Sequence, residues 1–136
     1  MRLVVDSNRI FASLIKDSFS RKVLFSKNFV FYTIPVVHSD LSKYWGELLE
    51  KSGLEKKDFD SMLDLLFSRV SFVEDSSVQK FMPEAKKAMD SVDAGDTPFV
   101  AASLAIKADG VWSDDRHFER QNLVKVFKTK DLTQLL

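Results

Sequence analysis

Apolar residues change their spacing repeatedly along this chain, and each change marks a boundary between a strand and a helix. Arg2-Leu3-Val4-Val5 is a short run of the kind that forms a buried strand, and it leads directly into Asp6-Ser7-Asn8. Ile10, Phe11, Leu14 and Ile15 then recur at helical spacing, and Val23-Leu24-Phe25 predicts a second short helical piece. Phe29-Val30-Phe31-Tyr32 is β-branched and aromatic, which predicts a second strand stopped near Pro35. Leu41, Tyr44, Trp45, Leu48 and Leu49 fall on one face of a helix ended by Gly53. Phe59, Met62, Leu63, Leu66 and Phe67 repeat that pattern, so a helical hairpin is expected across Ser52 to Lys57.

The second half alternates in the same way. Val70 to Val73 reads as a third strand, and Val78, Phe81, Met82, Ala85, Met89 and Val92 as a helix that Pro83 shortens or kinks. Asp93-Ala94-Gly95-Asp96-Thr97-Pro98 is a turn that opens a helix over Phe99 to Ala108. That helix is apolar almost all round, hence buried against a sheet, and Gly110 is expected to end it. Val111-Trp112-Ser113 predicts a fourth strand running into Asp114-Asp115, and Val124 to Phe127 a fifth. Thr129 is expected to cap a last helix through Leu136. Strands alternating with helices predict an α/β fold, a three-layer α/β/α sandwich around a parallel sheet of about five strands. A length of 136 residues suits one domain, 1–136.

Composition narrows the chemistry. Twenty basic residues balance twenty acidic ones, which argues against coating nucleic acid by bulk charge but allows an acidic cleft beside a basic rim. The absence of cysteine excludes disulfides, thiolate zinc sites and cysteine nucleophiles, and fits a cytoplasmic protein. The longest uncharged stretch, Asn28 to Ser39, is too short and too polar to span a bilayer, so no membrane association is expected. The N-terminus reaches Asp6 at once and does not read as a signal peptide.

In parallel α/β folds ligands bind outside the carboxyl ends of the strands. Asp6 follows the first strand, Asp114 and Asp115 follow the fourth, Asp96 opens the helix feeding the fourth, and Asp40 opens the helix after the second. Carboxylates gathered at one sheet edge repel, and a divalent cation with hard oxygen ligands, Mg²⁺ or Mn²⁺, resolves the conflict. The chemistry expected of such a centre is in-line attack on a phosphodiester. Motifs for a phosphate loop, a G-x-S-x-G nucleophile elbow and an H-E-x-x-H zinc pair are absent from the sequence. Asp6, Asp40, Asp96 and Asp115 also stand where helices begin, and Asp is a favoured N-cap, so cap and ligand remain alternatives at each. Asp93 fits a turn residue.

Val4-Val5-Asp6-Ser7-Asn8, then Asp40-Leu41, then Asp93-Ala94-Gly95-Asp96-Thr97-Pro98-Phe99-Val100-Ala101, then Trp112-Ser113-Asp114-Asp115-Arg116-His117-Phe118 together resemble the PIN domain over essentially the whole chain. The likeness is closest to prokaryotic stand-alone PIN proteins, the group that includes VapC-type toxins. It implies a three-layer α/β/α fold, a Mg²⁺- or Mn²⁺-dependent ribonuclease, an RNA substrate, an antitoxin partner and a homodimer. By that resemblance Asp6, Asp96 and Asp115 are metal ligands and catalytic acids, with Asn8 and Ser113 as supporting residues and Asp93 and Asp114 as accessory ones. The second acid of the family is usually Glu. This chain offers Asp40, shorter by a methylene, with Glu47 two helical turns further along the same face. His117 stands where the family often carries an acid.

The histidines, His38 and His117, read as surface or hydrogen-bonded residues rather than acid–base groups. Trp45, Trp112 and the phenylalanines read as core. Arg9, Arg116, Arg120, Lys125, Lys128 and Lys130 are candidates for phosphate contact, with a solvated face as the alternative; Arg9 also stands close enough to Asp6 to neutralise the acids. The function expected is hydrolysis of RNA phosphodiesters, and its rival is a PIN-like domain that binds RNA or protein without cutting. A haloacid-dehalogenase phosphatase fits less well, because Asn8 stands where its second acid belongs. A response-regulator receiver also fits less well, because Asp6 has no acidic neighbour and the third strand ends in Glu74-Asp75.

Overall fold

The computed structural model describes residues 1–15 and 18–136. Strand β1 (Arg2–Val5) carries Leu3, Val4 and Val5 in succession, all fully buried, the mark of a central parallel strand covered on both faces. Its neighbours are β2 (Val30–Thr33) and β4 (Gly110–Trp112), with β3 (Val70–Phe72) and β5 (Val126–Phe127) at the edges. All pairings are parallel, in the order β3-β2-β1-β4-β5. The chain builds outward from β1 to β3, then crosses back to start β4 on the other side of β1. The order therefore reverses between β1 and β4, the position where ligands collect in open α/β sheets.

The helices fall into two groups, as the sequence predicts for a three-layer α/β/α sandwich. Helix α5 (Asp75–Met89) packs on α6 (Thr97–Ala105), and α6 lies on β1 and β4. In the other group α1 (Ser7–Leu14) packs on α2 (Phe19–Phe25), α3 (Val36–Ser52) and α4 (Lys56–Phe67), and α2 packs on α7 (Thr129–Thr133). Among the described residues no helix is long and apolar enough to cross a membrane.

Several boundaries differ from the sequence reading, each for a local reason. Helix α3 begins at Val36 directly after Pro35, so Asp40 lies in its second turn and does not open it. Helix α5 continues through Pro83 to Met89, because proline removes one amide donor without obliging the helix to stop. Helix α6 ends at Ala105 and not Ala108. Lys107 takes a left-handed φ of 52°, and the Ala108 amide reaches back to the Ser103 carbonyl at 3.0 Å, closing the helix with a Schellman bond. Gly110 is thus no helix stop. It starts β4, where a Cβ would lie 2.5 Å from the Lys125 carbonyl oxygen.

Strand β5 is shorter than predicted because the Gln121 side chain binds both the amide and the carbonyl of Val124, at 2.9 and 3.0 Å. Helix α7 ends at Thr133, and its N-cap position is Lys128 rather than Thr129. Thr129 is the first helical residue, and its hydroxyl binds Asp114 instead of capping. Between β4 and β5 the chain forms a 3₁₀ turn, Arg116–Arg120, that the apolar pattern did not reveal.

Candidate active site

The sheet register builds the site. Val5 pairs with Trp112, so the next residues, Asp6 and Ser113, leave the carboxyl edge side by side. Both are buried, and the Ser113 hydroxyl donates to Asp6 Oδ2. The same hydroxyl accepts the Asp115 amide at 3.0 Å, which ties the turn after β4 to the turn after β1. Asp6 Oδ1 accepts the Arg9 amide at 2.9 Å and so caps α1, while Asp115 Oδ1 accepts the His117 amide at 2.9 Å and caps the 3₁₀ turn. Cap and site member are thus compatible roles, since each carboxylate oxygen carries more than one lone pair.

Asp96 differs. It occupies the N-cap position of α6 but makes no side-chain cap bond; its backbone carbonyl serves Phe99 and Val100 instead. Asp96 Oδ2 is buried and has no hydrogen-bond partner among the described residues.

Asp6, Asn8, Asp40, Asp93, Asp96 and Asp115 line one cavity of about 350 Å³, with Phe11, Val36, Tyr44 and Phe99 among its apolar walls. Asp40 is held there by the Ser7 hydroxyl at 2.8 Å, although Ser7 carried no signal in the sequence. Glu47, the alternative second acid, lines a neighbouring groove and pairs with Lys51 at 2.8 Å. Asn8 lines the acidic cavity and is exposed.

His117 faces the acids of the cleft. Its Nδ1 lies 3.1 Å from Asp93 Oδ2, 3.3 Å from Asp115 Oδ1 and 3.6 Å from Asp96 Oδ2. The 3₁₀ turn directs the imidazole back over the cleft, and no periodicity in the sequence encodes that direction. Asp114 points the other way. Its carboxylate accepts the Thr129 amide and hydroxyl, each at 2.8 Å, and pairs with Arg9 at 2.7 Å.

The candidate basic rim divides accordingly. The Arg9 guanidinium is engaged with Asp114 and Ser20, and Lys128 is paired with Glu119. Arg116 and Arg120 are exposed beside the cleft-forming turn, as are Lys125 and Lys130 further on.

Crowding and burial set the electrostatics. Burial pushes the Asp6 carboxyl up to about 6, against the lowering effects of the Ser113 hydroxyl, the Arg9 amide and the Arg9 charge. Asp96 is also raised to about 6, by burial first and then by the charges of Asp93, Asp115 and Asp6, with His117 opposing. A divalent cation fits this arrangement. Among the described residues Asp96 Oδ2 and His117 Nδ1 are buried without a hydrogen-bond partner, as is Arg9 Nε, and Asp93, Asp96 and His117 each offer one donor atom within 4.8 Å of the others. The most compact set is therefore Asp93, Asp96 and His117, while Asp6 and Asp115 border it electrostatically.

Comparison with known proteins agrees with this architecture. A crystal structure of VapBC2 from Rickettsia felis, bound to a DNA fragment from their promoter, contains a chain similar to this one at a TM-score of 0.67. Identity is 16%, over 94% of this chain and 98% of that one, a likeness of fold. No curated protein sequence matches significantly. The family profile described as PIN domain matches residues 4–135, which takes in every acid of the cleft, and the chain belongs to the PIN domain family.

Proposed function

We propose that this protein is an endoribonuclease that hydrolyses RNA phosphodiester bonds with Mg²⁺ or Mn²⁺ held by Asp6, Asp96 and Asp115. The observation that carries the reading is the buried, unpartnered Asp96 oxygen among like-charged neighbours at the β1/β4 switch point. A carboxylate oxygen in that setting receives no hydrogen bond from the described residues, and a bound cation supplies the missing partner. When bound, the cation supplies Lewis acidity toward a phosphate oxygen and an activated water. The remaining work belongs to the chain. Ser113 fixes Asp6 and the start of the Asp115 turn, Ser7 fixes Asp40 on the opposite wall, and Arg116 and Arg120 stand free to meet the RNA backbone.

Family membership and the similarity in fold to a VapBC2 chain support a VapC-type toxin controlled by an antitoxin, and we propose that it acts in the cytoplasm as a homodimer. Asp40 favours a second reading, a non-catalytic RNA- or protein-binding domain, because the shorter acid is already bonded to Ser7. Single-turnover cleavage of single-stranded RNA separates the two. The nuclease reading expects cleavage that EDTA abolishes and that Asp96→Asn slows by at least about a hundredfold, since even supporting groups of a metal site are worth 10–100-fold. A variant that cleaves as fast as the parent reduces Asp96 to a helix-terminal residue.

A further inference from the structure

We propose that His117 is a nitrogen ligand of the metal centre and that it biases the centre toward Mn²⁺ and later transition ions over Mg²⁺; the inference rests on the metal-dependent reading above. The geometry is specific. The Asp115 carboxylate holds the His117 amide, and this folds the 3₁₀ turn so that Nδ1 faces Asp93, Asp96 and Asp115 at 3.1 to 3.6 Å. The simpler account makes His117 an imidazolium that neutralises the three acids. A proton on Nδ1 needs a directed acceptor, however, and Nδ1 is buried without a hydrogen bond of acceptable geometry to any of them. Asp96 Oδ2 is unpartnered beside it. An imidazole nitrogen and carboxylate oxygens that converge without a hydrogen bond between them make a donor set for one shared cation.

That donor set changes ion preference. Mg²⁺ favours all-oxygen surroundings and gives up water reluctantly, whereas imidazole suits transition ions.

Pulsed EPR of the protein loaded with Mn²⁺ alone tests the ligand directly. The expected result is ¹⁴N hyperfine coupling of directly bonded strength in the parent and its loss in His117→Asn. His38, the other histidine, is stacked on Phe67 and Phe72, with ring centroids 5.4 and 4.7 Å away, so the signal has one source. Titration calorimetry adds a second readout. Removing the nitrogen should weaken Mn²⁺ and Zn²⁺ by about tenfold or more and change Mg²⁺ much less. Bound Mn²⁺ without nitrogen coupling, or equal weakening of all three ions, overturns the ligand assignment and leaves the nuclease reading standing. A parent that binds no divalent ion removes both.

Discussion

Asp114 and Asp115 are consecutive, yet their carboxylates sit in opposite surroundings. Asp114 meets two donors from Thr129 and the guanidinium of Arg9. The Thr129 hydroxyl also accepts from Trp112 Nε1 at 3.1 Å, so this side joins the ends of β1 and β4 to the start of α7 through satisfied polar groups. Asp115 instead leans over a cavity shared with Asp6, Asp93 and Asp96, where its charge raises the pKa values of Asp6 and Asp96. Successive side chains leaving a strand point to opposite sides. One turn of chain therefore carries a carboxylate satisfied by several donors on one side and one crowded by like charges on the other.

The largest effect expected to sharpen this contrast is that of metal. At a hundredfold excess over its dissociation constant, Mn²⁺ should stabilise the parent by about 2.7 kcal/mol, and Asp96→Asn should lose most of that gain. Melting curves with and without Mn²⁺ read it, and an unmoved parent curve would remove the distinction between the two sides. Next, Asp114→Ala should cost about 2 kcal/mol, because charge-assisted bonds are lost and the half-buried Arg9 loses its partner. Asp115→Asn in metal-free protein should cost little or even stabilise, since Asn keeps capping ability while the repulsion falls. Urea denaturation of both variants checks the pair, and equal losses would break the contrast.

A third test uses pH. Asp6 and Asp96 have folded-state values of about 6 against an ordinary value of 3.8. The native state therefore holds their protons more tightly than the unfolded chain does. The stability this contributes is fully present below the ordinary value and is lost as pH rises through about 6. In EDTA, lowering the pH from 7 to 5 should raise the contribution of these groups by about 1–2 kcal/mol, and Asp96→Asn should roughly halve the rise. Identical pH profiles for parent and variant would contradict it. The smallest effect on the fold belongs to the rim. Arg116→Ala with Arg120→Ala should leave stability within about 0.5 kcal/mol. The pair should flatten the log K versus log[salt] slope for single-stranded RNA by about 0.7 per lost contact. Lys128→Ala should add less, because Glu119 already holds that ammonium. An unchanged slope returns Arg116 and Arg120 to a solvated face.

The acids of the cleft were legible because each follows a recognisable strand or opens a recognisable helix. Leu3 to Val5 is apolar without interruption and reads as a buried strand, which puts Asp6 at its end on the carboxyl edge of a parallel sheet. The same reasoning placed Asp115 and Ser113. It could not give the direction of His117, which depends on a 3₁₀ turn with a single buried residue, Phe118, and hence no apolar period to read. It failed also for Asp114, grouped with the acids by proximity along the chain but claimed in space by Arg9 and Thr129.

The sequence by itself therefore determined the alternation of elements, the parallel sheet and the family of acids at its edge, because each follows from local periodicity and from what a strand or helix must bury. Tertiary structure decided which neighbours each charge meets. Asp40 rather than Glu47 lines the cleft because Ser7 reaches it from α1. Gly110 is required because β5 passes close to it. Asp114 and Asp115 part company because α7 offers donors on one side of the turn while α6 brings Asp96 to the other. Charges separated widely along the chain meet only when the sheet closes, and their energies depend on distance and burial, which residue order does not contain.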